Sequence, residues 1–165
     1  MSDFLVRPVE RADVAELAAL LNAIIARGGT TAFETPFEPD VLADRYLLGP
    51  DVFSARVAST GDGAPLAGFQ IVLRSAALPD GWGDIGTFTR IGGTQRGVGR
   101  ALFHHTERAA RARGLISLNA TIRADNTGGL AYYSKLGFVD YNIKRAIRLQ
   151  SGALLDRIEK RYALT

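Results

Sequence analysis

The chain has no cysteine among its 165 residues. That excludes disulfide scaffolds, iron–sulfur clusters, thiolate metal sites and a cysteine nucleophile. Imidazole is almost as scarce, since His104 and His105 are the only histidines. A metal site would therefore rest on carboxylates nearly alone, and none is expected. Neighbouring positions on a helix point about 100° apart, so the two rings cannot chelate together. His105 is expected in the core and His104 in solvent. Long apolar runs are also missing: the longest reach about five residues, where some 20 are needed to cross a bilayer. The opening Met1-Ser2-Asp3-Phe4-Leu5-Val6-Arg7 lacks the basic-then-apolar pattern of a secretory signal, so a cytoplasmic protein with no membrane partner is expected. Twenty basic against seventeen acidic residues leave a net charge of +3. No basic tract of the kind that grips a nucleic-acid backbone is present, so no nucleic-acid partner is expected.

What is present is ordinary globular material, 47% hydrophobic and 22% charged. The length favours a single domain spanning 1–165. All six prolines fall in the first half, and none follows Asp80. No Pro/Ser-rich linker divides the halves. Phe4–Val9 reads as a strand, followed by a helix over 13–27, where Val14, Leu17, Ala18, Leu21 and Ile25 recur on one face before Gly28-Gly29. A second helix is expected to open at Pro39 and run to about Leu48. Strands over 52–58 and 66–74 flank the turn Ser59–Gly63, and another runs over 83–91. A helix over 97–113 carries the stripe Val98, Ala101, Leu102, His105, Ala109 and Ala112. A strand over 115–122, a short helix over 127–136 and two strands around Ser151-Gly152, at 143–149 and 154–164, complete the chain. Hairpins followed by a strand–helix–strand unit make a mixed α/β sheet flanked by helices.

The sharpest local feature is Gly92-Gly93-Thr94-Gln95-Arg96-Gly97-Val98-Gly99-Arg100, placed where a strand gives way to a helix. The first amides of a helix lack intrahelical partners, and the dipole adds partial positive charge there. Glycines admit a ligand close to the backbone, and Arg96 and Arg100 add cations, so the turn suits a phosphate. No Gly-Lys-Ser/Thr follows, as a nucleoside-triphosphate loop requires. Gly97 and Gly99 lead to Leu102, which breaks the G-x-G-x-x-G dinucleotide pattern. The plainer alternative is a loop that only turns the chain.

Thr94-Gln95-Arg96-Gly97-Val98-Gly99 resembles the [Q/R]-x-x-G-x-[G/A] coenzyme A signature of the GCN5-related N-acetyltransferase (GNAT) family, with Thr94 departing from its first position. Asn126-Thr127-Gly128-Gly129-Leu130-Ala131-Tyr132-Tyr133-Ser134-Lys135-Leu136-Gly137-Phe138 resembles the family's N-x₆-Y-x₃-G-F segment, in the same order and spacing. Thr31-Ala32-Phe33-Glu34-Thr35-Pro36 is similar to the F-E-T stretch of its phosphinothricin and amino-acid N-acetyltransferases, which lines their acceptor site.

The resemblance implies an acyl-CoA N-acyltransferase fold, a mostly antiparallel sheet splayed between the strands ending near Ile91 and Ile122. Acetyl-CoA is the implied cofactor, acting as acetyl donor with no metal. Its pantetheine arm would pair with the backbone of Thr89, Arg90 and Ile91. Its diphosphate would meet the amides of Gln95, Arg96, Gly97, Val98, Gly99 and Arg100, and Asn126 would touch the arm or the acceptor. Tyr133 falls at the general-acid position, Glu34 is the expected base or acceptor contact, and Phe33, Trp82 and Asp84 are further acceptor-side candidates. A small amino-acid-like amine is the implied acceptor, attacked directly because there is no cysteine to carry an acyl group. Acetylation of a protein N-terminus or lysine is the alternative within enzymes, and an acyl-CoA-binding sensor the alternative outside them. Edge potential in the last two strands also makes a homodimer an expectation.

Overall fold

The computed structural model describes residues 3–93 and 96–165. Seven strands form one sheet in the order β1-β2-β3-β4-β5-β7-β6. They are β1 (Leu5–Pro8), β2 (Val52–Ser59), β3 (Leu66–Leu73), β4 (Trp82–Thr89), β5 (Ser117–Arg123), β6 (Val139–Arg148) and β7 (Leu154–Ala163). Every neighbouring pair is antiparallel except β4 and β5. The helices are α1 (Val14–Arg27), α2 (Pro39–Leu42), α3 (Val98–Ala112) and α4 (Thr127–Leu136). No helix among the described residues is long and apolar enough to cross a membrane.

Local chemistry sets these boundaries. Asp13 accepts the Glu10 amide at 2.8 Å and takes both Arg7 guanidinium nitrogens, at 2.7 and 2.9 Å, which fixes the entry to α1. The helix then buries Leu17, Leu20, Leu21 and Ile24 against Phe69, Ile71 and Phe88 of the sheet. The expected second helix holds only over Pro39–Leu42 and then widens into a π-turn over Ala43–Leu47. Widened turns of this kind often re-aim functional side chains, and this one brings Tyr46 against Phe33 and Phe37, with ring centroids 5.2 and 5.4 Å apart.

The buried stripe of α3 is Val98, Ala101, Leu102, Phe103, Thr106 and Ala110, turned from the expected one. Phe103 supplies far more apolar surface than His105 and sets the helix rotation by packing on Phe138 and Tyr162. His105 sits half-buried at the flank, where burial and the neighbouring His104 lower its pKa. β6 begins at Val139, earlier than expected. It is irregular after Asp140 and again after Lys144, and Ala146 there adopts φ 54°, a rare conformation for a residue with a side chain.

The parallel junction decides where a site can form. β4 and β5 pair only at Trp82↔Ser117, Gly83↔Leu118 and Asp84↔Asn119. Beyond Asp84 the two strands part, leaving a fork between Ile85–Thr89 and Ala120–Arg123. α3 and α4 lie on one face of this fork, and α1 on the other.

Candidate active site

The fork opens into a cavity of about 780 Å³. A second recess of about 470 Å³ lies at the start of α3, lined by Gly92, Gly93, Gly97, Val98 and Gly99. Both need a backbone with groups to offer. The Arg90 amide donates to Ala67 O at 2.9 Å, toward β3. Strand groups alternate in direction, so Thr87 and Thr89 turn their N–H and C=O the other way, into the fork. Of the three residues expected to pair with a cofactor arm, Thr89 thus offers its backbone. Arg90 does not, because its amide is committed to β3 and its guanidinium to Leu66 O (2.8 Å) and Glu16 (2.6 Å). Ile91 follows in a turn and lines the cavity.

At the start of α3 the first helical bond runs from Ala101 N to Gly97 O. The amides of Val98, Gly99 and Arg100 therefore have no intrahelical partner. Gly97 holds the entry at φ 88°, a conformation that a side chain resists. Arg96 and Arg100 are exposed beside it, and Val98 is buried beneath, against Ala58 and Leu102. Gln95 lies outside the described residues, as does Thr94. Gly99 has a second reason to be glycine: an added Cβ would come within 2.5 Å of the Tyr132 ring.

Tyr132 and Tyr133 reach the fork from α4. The Tyr132 hydroxyl donates to Gly99 O at 2.7 Å and receives Gln70 Nε2 at 3.1 Å, and burial pushes its pKa up to about 12. The Tyr133 hydroxyl lies 2.8 Å from Thr87 Oγ1, which also accepts from Gln70 Nε2 at 2.9 Å. Burial raises the Tyr133 pKa further still, so it rests as a neutral phenol. Gln70 Oε1 is buried without a partner. An apolar-walled slot with a protonated phenol and an orphaned carbonyl suits a ligand that brings both apolar and amide surface.

The opposite face is charged. Asp84 sits at the crotch of the fork and lines the cavity. Asn119 Nδ2 donates to it at 2.9 Å, yet burial dominates and raises its pKa above the usual carboxylate range. Asn119 in turn accepts the Tyr141 hydroxyl at 2.5 Å. Phe33 closes the far wall, edge-on to Phe37 at 5.0 Å and stacked over Phe88 at 6.1 Å.

Two expected acceptor contacts fall elsewhere. Glu34 is exposed and outside the cavity lining; its Oε1 accepts the Gln150 amide at 2.9 Å while Thr35 accepts Gln150 Nε2 at 3.0 Å, so this segment clasps the β6–β7 turn. Trp82 lies at the closed end of the fork, edge-on to Tyr141 at 5.7 Å and beneath the Arg161 guanidinium at 4.9 Å. Asn126 lines the cavity but also caps α4 by accepting the Gly129 amide at 2.9 Å, and it donates to Thr30 O at 3.1 Å. Tyr46, Gln70, Thr87, Asn119, Lys144 and Arg157 carry no local sequence motif; strand register and the π-turn place them here.

Residues 93–138 match the Acetyltransferase (GNAT) family. None of the curated proteins matches the chain. Among solved structures, a GNAT superfamily phosphinothricin acetyltransferase from Sinorhizobium meliloti, in complex with acetyl-CoA, superposes with TM-score 0.83 at 18% identity, covering 98% of this chain and 89% of that one. A ribosomal-protein-alanine N-acetyltransferase from Brucella melitensis gives TM-score 0.82 at 20% identity over 96% of this chain and 99% of its own. A GCN5-related N-acetyltransferase from Kribbella flavida gives 0.82 at 19% identity over 98% of each chain. At these identities the likeness establishes the fold: the open, forked GNAT sheet.

Proposed function

We propose that this chain, which has the GNAT fold and carries that family's segment over 93–138, transfers an acetyl group from acetyl-CoA to the primary amine of a small, amino-acid-like acceptor in a ternary complex. The observation that carries this reading is the fork itself. Its unpaired strand groups at Thr87 and Thr89 and its open amides at Val98–Arg100 make one continuous polar edge, matched to an amide-bearing arm that ends in a diphosphate. The donor supplies an activated thioester carbonyl; the protein supplies position and protons.

Asp84 is the base in this reading. It is the one carboxylate lining the cavity among the described residues, and burial makes it a stronger proton acceptor than an ordinary aspartate. The amine nitrogen bonds to the thioester carbon, the carbon–sulfur bond breaks, and Asp84 receives the proton the amine sheds. Tyr133, kept protonated by burial, turns its O–H to the departing sulfur and passes it a proton as the carbon–sulfur bond breaks. Gln70 and Thr87 hold the phenol in place. Glu34 acts as a clasp over the acceptor side, not as the base.

The aromatic wall of Phe33 and Tyr46 favours a small acceptor over a protein tail. β6 is an exposed edge strand carrying Val139, Tyr141 and Ile143, which supports a homodimer formed along that edge. Coenzyme A release over a panel of free amino acids, polyamines and peptides tests the reading. Release with small amines supports it, and release with peptides alone transfers the assignment to a protein acetyltransferase. Binding of acetyl-CoA with no release for any amine leaves only a sensor.

A further inference from the structure

Strand register places three cations side by side across the sheet. Arg123 of β5 stands opposite Arg157 of β7, and Arg157 opposite Lys144 of β6. All three line the fork cavity. Like charges directly opposed on one sheet face destabilise it, so such a row requires compensation. Arg123 has it, from Asp125 at 2.9 Å. Lys144 has only Glu159, at 3.8 Å. The Arg157 side chain makes no hydrogen bond, ion pair or ring contact with any described residue. The backbone irregularity after Lys144 lies beside this row and is anchored by Asp156, which accepts the Ala146 amide at 2.9 Å. Bulges of this type re-aim strands next to sites.

The row does not serve the donor's phosphates. Leu118, Ala120 and Ile122 of β5 face α3 and its core, so the alternate residue Arg123, and with it Arg157 and Lys144, faces the α1 side with Asn119 and Asp84. The open amides of α3 are on the other side.

Resting on the acetyl-transfer reading, we propose that Arg157 and Lys144 seat an anionic group of the acceptor, a carboxylate or phosphonate, while its amine lies toward Asp84. The chain then selects amines that carry a negative charge away from the nitrogen and rejects neutral or cationic ones such as polyamines. A guanidinium in a planar fork reads a carboxylate by two parallel hydrogen bonds, which an ammonium alone cannot do.

The test uses amino acids and short peptides, each as the free carboxylate and as the matched carboxamide, with the wild-type chain, R157Q, R157K and K144Q. Acetyl-CoA affinity is measured calorimetrically for each variant. Expected is an acid-to-amide ratio of kcat/KM of about tenfold or more in wild type, falling toward one in R157Q and partly regained in R157K, with a smaller fall in K144Q. Coenzyme A release with a ratio near one, or a ratio that R157Q does not move, overturns the anion seat and leaves acetyl transfer standing. Loss of acetyl-CoA affinity in R157Q would instead assign the row to the donor. No release from any pair overturns acetyl transfer itself, and the anion seat with it.

Discussion

On the α3 and α4 side of the fork the polar side chains are few and uncharged and, Gln70 Oε1 apart, bonded to one another or to backbone: Gln70 to Thr87 and Tyr132, Thr87 to Tyr133, Tyr132 to Gly99. On the α1 side they are many, and two of the charged groups, Asp84 and Arg157, have no counter-ion within ion-pair distance among the described residues. The first arrangement surrounds an uncharged slot; the second brings charged groups to the cavity wall. The contrast is the one the proposed acetyl transfer calls for, in which the donor side excludes water and the acceptor side takes up a proton and discriminates between amines.

Removing the α1-side carboxylate should separate the two faces most sharply. Asp84→Asn is expected to lower kcat by about 10²–10⁴, the usual worth of acid–base assistance, with acetyl-CoA affinity unchanged by calorimetry. The wild-type rate should fall on acidification with an inflection above the ordinary carboxylate range, because burial raises the Asp84 pKa; the asparagine variant should lose that inflection. Stability should move oppositely. A folded pKa above the unfolded one means the ionised carboxylate costs stability, a cost that sets in as pH rises through that interval and is complete above the folded value. Asp84→Asn should therefore melt no lower than wild type at neutral pH.

On the other face, Tyr133→Phe should lower kcat by about 10², again without weakening acetyl-CoA. Its thermal stability should drop modestly, by about 1 kcal/mol, since Thr87 loses a buried partner. An unchanged kcat would return Tyr133 to a packing role. Gly99→Ala acts through geometry: a methyl 2.5 Å from the Tyr132 ring must displace it and the start of α3. A loss of about 1–3 kcal/mol in stability and about tenfold in acetyl-CoA affinity is expected from denaturation and calorimetry. The smallest effect is that of Glu34→Gln, a few-fold rise in acceptor KM with kcat unchanged, because a neutral amide still accepts the Gln150 N–H. A loss of kcat as large as that of Asp84→Asn would move the base to Glu34.

The α3 and α4 side of the fork was legible in the sequence because its parts are local. A glycine-rich turn before a helix, and an Asn–Tyr–Gly-Phe segment capping and ending another, keep their meaning whatever the rest of the fold does. The mixed sheet followed from hairpins succeeded by a strand–helix–strand unit. The α1 side was hardly legible. Asp84 meets Asn119, and Arg157 meets Arg123 and Lys144, only through register between strands far apart in the chain. Tyr46 reaches the site through a π-turn that helix periodicity does not reveal. Glu34 sits within a motif-like stretch, yet the hairpin turn around Gln150, more than a hundred residues later, takes its carboxylate. His105 illustrates the limit of periodicity: it lay on a plausible stripe, and Phe103 decided the rotation.

Amide hydrogen exchange with and without acetyl-CoA tests most directly whether the fork receives the donor as a missing strand. Thr87, Thr89 and the helix-opening amides of Val98, Gly99 and Arg100 should gain protection on binding. Arg90, already bonded to Ala67, should change little. Binding that left Thr87 and Thr89 exchanging as freely as before, or that protected Arg90 in their place, would contradict it.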